Sequence, residues 1–202
     1  VTNMRQMFKG AQTFNGNINN WNVGNVTYMD NMFENASAFQ GNLNSWNTQN
    51  VTIMSEMFKG ATLFNSDLSW NVSKVTYMNG LFQDATIFNG NITNWDVTNV
   101  ITMNSMFYGS SFNQSINQWT TSQVMDMSYM FKGSPFNQPL YQWDVSKVTT
   151  MNGMFQDSPF NQDISGWILS VSNMDSMFQD SSFNQHLGKW DISSVVTMRN
   201  MF

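Results

Sequence analysis

Phe14-Asn15-Gly16-Asn17-Ile18-Asn19-Asn20-Trp21-Asn22-Val23-Gly24-Asn25-Val26-Thr27-Tyr28-Met29-Asp30-Asn31-Met32-Phe33 holds one copy of a pattern that runs through the whole chain. Its closing Met-x-x-Met-Phe recurs from Met4, Met29, Met54, Met103, Met127, Met151, Met174 and Met198. At Met78 it reads Met-x-x-Leu-Phe, with Leu81 in the second apolar place. The starts are 23 to 25 residues apart. A second Phe, an Ile or Leu four residues later, and one Trp complete each unit. All 17 Phe and all 8 Trp belong to the pattern, and of the 18 Met only Met125 lies outside it.

A 24-residue unit cannot bury Phe, Trp, Val and Met alone, so the units must stack and bury them against their neighbours. The sequence therefore predicts an α/β repeat solenoid of about eight coils with a Met/Phe/Trp core. Ile18-x-x-Trp21-x-Val23 has the spacing of the leucine-rich-repeat consensus, which places short parallel strands over Trp21–Val23 and its counterparts. Met29, Met32 and Phe33 fall at i, i+3, i+4, the stripe of a short helical or 3₁₀ turn, with Thr27, Thr52 and Thr76 as its N-caps. No linker or composition break interrupts the array, so residues 1–202 read as one domain. Neither end carries a polar cap. The expectation is a segment of a longer array, with Met4, Met7 and Phe8 at one end and Met198, Met201 and Phe202 at the other covered by further repeats or another subunit.

The unit M-x-x-M-F-x-G-A-x-x-F-N-x-x-I-x-x-W-x-V-x-x-V resembles the repeat of BspA-like surface proteins and of mycoplasma lipoproteins. The resemblance spans the whole chain. It implies a leucine-rich-repeat-like solenoid on an exported, surface-exposed protein associated with adhesion, and it brings no catalytic residues. Gln40, Leu81 and Ile168-Leu169 depart from the pattern without disturbing it.

Composition narrows the function. Charged residues are 10% of the chain, and 8 Lys and Arg against 13 Asp and Glu give a net charge of −5. Scattered cations in an acidic chain do not form the basic stripe of a nucleic-acid binder. With no Cys and one histidine, His186, thiolate and His-cluster metal sites are excluded. No apolar run reaches the ~20 residues of a membrane span. No cofactor or metal is expected.

Several rows have a structural and a functional reading. Asn15, Asn65, Asn89, Asn113, Asn137, Asn161 and Asn184 each follow a core Phe, so they read as a ladder serving backbone groups rather than a ligand row. The Met stripe reads as packing rather than a soft-metal site. Sequons at Asn25, Asn35, Asn50, Asn71, Asn91 and Asn113 matter only in a glycosylating host. Residues flanking the tryptophans should point outward, as Asn20/Asn22, Ser45/Asn47, Ser69/Asn71, Asn94/Asp96, Gln118/Thr120, Gln142/Asp144, Gly166/Ile168 and Lys189/Asp191. The candidate binding residues are Asn20, Asn22, Asn47, Asn71, Asp96, Asp144, Ile168 and Asp191. Asp96 and Asp144, two units apart, would stand roughly 10 Å apart by strand spacing, near the separation of an inverting glycosidase pair. Nothing else in the sequence supports catalysis.

The expected function is thus non-catalytic: a surface-exposed module that recognises a protein or carbohydrate, or alternatively a rod or filament component of a cell or virion, stacking end to end on copies of itself.

Overall fold

The computed structural model describes all residues, Val1–Phe202, and none of them is helical. The chain is a stack of repeats, each hydrogen-bonded to the next one turn of sequence away. The N–H groups of Met29, Asn31, Phe33 and Asn35 donate to the carbonyls of Ile53, Ser55, Met57 and Lys59 at 2.7–3.1 Å. Between them, Met32, Glu34 and Ala36 donate to the carbonyls of Met29, Asn31 and Phe33, three residues back.

That alternation explains why the Met-x-x-Met-Phe stripe is not a helix, against the sequence expectation. An α-helix would direct every N–H back along its own segment and leave none for the next coil. Here a left-handed residue interrupts the winding twice per coil, at Asn31 and Asn35 and at the same two places in the other coils. Gly10, Gly60, Gly109 and Gly133 occupy the second place, and Gly80 and Gly153 the first. Asn or Asp fill six of the other eleven, and their short polar side chains tolerate this conformation better than most.

The strands also differ from expectation. Parallel pairing is confined to one residue per coil, the column Asn3, Tyr28, Ile53, Tyr77, Thr102, Asp126, Thr150, Asn173 and Thr197, just ahead of each Met. Trp21–Val23 and its counterparts form no bridges. The spacing of the stacked rings changes across the coil in the same sense. A parallel ladder needs coils ~4.8 Å apart. Equivalent rings are 5.3–5.9 Å apart in the Phe33 column and 5.9–6.3 Å in the Phe39 column. The tryptophan pairs Trp46–Trp70, Trp70–Trp95, Trp95–Trp119 and Trp167–Trp190 are 6.3–6.5 Å apart. The rings stand farthest apart in the tryptophan column, and there the backbone bonds between coils dwindle to one, from the Leu68 N–H to the Asn91 carbonyl at 3.1 Å.

Side chains stitch that wider side instead. The indole Nε1 groups of Trp46, Trp70 and Trp95 donate to the carbonyls of Ile18, Leu43 and Leu68 at 2.7–3.1 Å, and Trp143, Trp167 and Trp190 repeat the bond. Trp119 Nε1 alone is buried without a partner. The asparagine row is a ladder, as the sequence indicates. Oδ1 of Asn65, Asn89, Asn113, Asn137 and Asn161 accepts the backbone N–H of its counterpart one coil on, at 2.7–3.0 Å.

The core is continuous, with 58 buried apolar residues in one cluster. Within each coil the two Phe rings stack 3.7–4.2 Å apart. The Thr27, Thr52 and Thr76 row caps nothing: the Thr52 and Thr76 hydroxyls donate to the carbonyls of Thr27 and Thr52 in the preceding coil. At the ends, Met4 is buried and Phe8 and Met201 pack partly against the core, whereas Met7, Met198 and Phe202 are exposed.

Candidate recognition surface

The tryptophan side carries all eight candidate binding residues. In every coil the residue pairs from Asn20/Asn22 to Lys189/Asp191 are exposed, while the tryptophans between them, Trp21 excepted, are buried. The outward alternation therefore holds without a strand. What holds it is a turn. Oδ1 of Asn22, Asn47, Asn71, Asp96, Asp144 and Asp191 accepts the N–H two residues on, from Gly24, Gln49, Ser73, Thr98, Ser146 and Ser193, at 2.9–3.2 Å. These residues are Asx turns that shape the loop after six of the tryptophans, and each residue is exposed. Asn20 is exposed and makes no hydrogen bond through its side chain. Ile168 has no such turn and is 77% exposed between buried Trp167 and Leu169.

Beside Asp96, the Trp95 and Trp119 rings of neighbouring coils stand 6.4 Å apart, wider than the ~4.8 Å of paired strands. His186 is exposed and shares a shallow polar hollow with Asp163 and Lys189. No three His, Asp or Glu side chains converge as metal ligands.

Two further features of this side were not read from the sequence. One is the open spacing of the coils, which leaves clefts between them: one bounded by Ser69, Trp70, Asn91, Asn94 and Trp95, the next by Asn94, Trp95, Asp96, Gln118 and Thr120. The other is the amount of hydrogen bonding from side chain to neighbouring coil, as from Ser45 to the Asn19 carbonyl and from Gln118 Nε2 to the Thr93 carbonyl. The periodic Asn, Ser and Gln around each Trp were the available signal.

The repeat geometry agrees with the comparison to known families. A family model described as "Mycoplasma protein of unknown function, DUF285" matches residues 1–69, 42–135, 68–167 and 111–202. The chain belongs to this family. The DUF285 matches overlap and together span every coil. No curated protein and no solved structure matches the chain.

Hydrogen bonding lowers the pKa of several carboxyls in this DUF285 chain. The Ser146 hydroxyl and N–H hold Asp144 below the ordinary carboxylate range, and the Ser193 N–H and hydroxyl do the same for Asp191. Ser165 lowers Asp163, and the Thr197 hydroxyl lowers Asp175. A depressed folded-state pKa contributes stability above the unfolded value of ~3.9, and that contribution disappears as pH falls through the folded value. Thermal melting should therefore be flat from about pH 8 to pH 5 and drop below about pH 4. A melting temperature that falls steadily between pH 8 and 5 would contradict this assignment.

Proposed function

We propose that this chain is a non-catalytic recognition module of an extracellular or cell-surface protein, binding a protein or carbohydrate through the polar tryptophan side. The observation that carries this reading is the pair of exposed residues beside every Trp, polar on both sides in all but the Gly166/Ile168 coil, repeated on a continuous core from Asn20/Asn22 to Lys189/Asp191. Such a surface makes many weak contacts whose combined strength comes from repetition. The likeness of the unit to BspA-like repeats, with their leucine-rich-repeat-like architecture and their association with adhesion, points the same way. The dispersed cations of an acidic chain disfavour nucleic acid as the ligand.

The test is adhesion of beads coated with the 202-residue chain to cultured cells. Coated beads should be retained above an uncoated control, and soluble chain in excess should compete. Equal retention of coated and uncoated beads would refute the reading. An Ile168→Asp chain, which restores the acidic residue of other coils, reports whether the break in the repeat contributes to binding.

A further inference from the structure

We infer that the clefts on either side of Asn94 and Trp95 form a binding site for a short neutral oligosaccharide. The inference rests on the recognition reading above and gives it a place and a ligand class. The larger cleft has a volume of about 320 Å³ and the smaller about 100 Å³, and Asn94 and Trp95 border both. They open where neighbouring tryptophans stand 6.4 Å apart. The side-chain stitching also lapses here: Trp119 Nε1 has no partner, and Ile92, whose carbonyl the pattern of the other coils would assign to it, lines the smaller cleft.

The polar groups around these clefts define the ligand. The Asn94 amide and the Thr120 hydroxyl make no hydrogen bond within the chain, so both offer donor and acceptor to a ligand. Asn91 spends Oδ1 on the Thr93 N–H and keeps its amide donors. Gln118 spends Nε2 on the Thr93 carbonyl and keeps its acceptor. Asp96 spends Oδ1 on Thr98 and keeps its second oxygen. A ligand that matches interleaved donors and acceptors is one whose every group both donates and accepts, which describes sugar hydroxyls. No Lys or Arg lines either cleft, and Asp96 is the one charge present. Phosphorylated, sulfated and carboxylated ligands are disfavoured accordingly. An extended peptide would need an open backbone edge or deep side-chain pockets. The Trp95–Val97 stretch supplies no bridged strand, and its apolar side chains are buried.

The experiment is a screen of the 202-residue chain against an array of neutral and acidic oligosaccharides. The best neutral binder is then titrated into wild type and into an Asn94→Ala/Thr120→Ala chain, alongside the bead assay. The array should show capture by neutral oligosaccharides. The double variant should bind at least tenfold more weakly at an unchanged melting temperature, since neither side chain bonds within the fold. Capture of acidic oligosaccharides alone, or equal affinity of variant and wild type, overturns the inference. Bead adhesion that persists without neutral capture, uncompeted by neutral sugars, overturns the sugar site and leaves the recognition reading standing. Absence of both capture and adhesion overturns both.

Discussion

Phe107→Ala is expected to destabilise the chain by about 4 kcal/mol, the range for truncating a fully buried Phe. The ring has no exposed surface. It stacks on Phe112 at 3.9 Å within its coil, and lies 5.9 Å from Phe82 and 5.6 Å from Phe131 in the neighbouring coils. Those neighbours cannot close the cavity, because hydrogen bonds to adjacent coils fix the Phe107 segment on both sides, from Phe82 N to the Met106 carbonyl and from Phe107 N to the Met130 carbonyl. The position adds a second signature. In a stack of repeats each unit contacts only its neighbours, so a weak coil near the middle should partly uncouple the two halves. Urea unfolding should show an earlier midpoint and a broadened or split transition. A loss below about 1 kcal/mol would mean that this ring does not pack as described.

Gly90→Ala should cost about 3 kcal/mol, the upper end for overpacking. Gly90 is buried, and a Cβ there would overlap the Ser66 carbonyl of the preceding coil. The obstacle is backbone, which cannot rotate away as a side chain can. The coils would have to separate, straining the adjacent Asn65–Asn89 rung at 2.7 Å. Gly166→Ala is the control. Nothing lies within 4 Å of a Cβ at that position, and its effect should stay within ~0.5 kcal/mol. Similar midpoints for the two variants in urea would contradict the close approach of coils at Gly90.

The repeat and its core were legible in the sequence because burial imposes periodicity: Met29, Met32, Phe33, Phe39, Leu43, Trp46 and Val51 are all buried. Their local conformation was not. The i, i+3, i+4 spacing of Met29, Met32 and Phe33 suits a helix, yet it equally suits consecutive turns that bring every third residue inward. The discriminating signal lies in the residues between them. Gly80 and Gly153 share one offset from the Met, and Gly10, Gly60, Gly109 and Gly133 share another. Glycine recurring at a fixed offset marks a left-handed residue, which a helix cannot contain. The Trp-x-Val segment misled for a related reason. Alternation fixes which side chains point inward, and Trp46, Trp70 and Trp95 do so. It does not fix how far apart adjacent coils stand, which follows from the stacking of whole rings. The outward exposure of the residues flanking each Trp was legible, but the Asx turns that hold Asn22, Asn47, Asn71, Asp96, Asp144 and Asp191 only became visible with the backbone.

Amide hydrogen exchange followed by NMR tests the central claim most directly, that the coils are closed by backbone bonds along the bridge column and open on the tryptophan side. The amides of Met103, Ser105, Phe107 and Gly109 each donate to the next coil at 2.8–3.1 Å and should exchange at rates set by unfolding of the stack. The exposed Asn94 and Asp96 donate no backbone hydrogen bond and should exchange orders of magnitude faster. Protection of Asn94 and Asp96 equal to that of Met103 and Phe107 would place a paired strand on the tryptophan side and contradict the account.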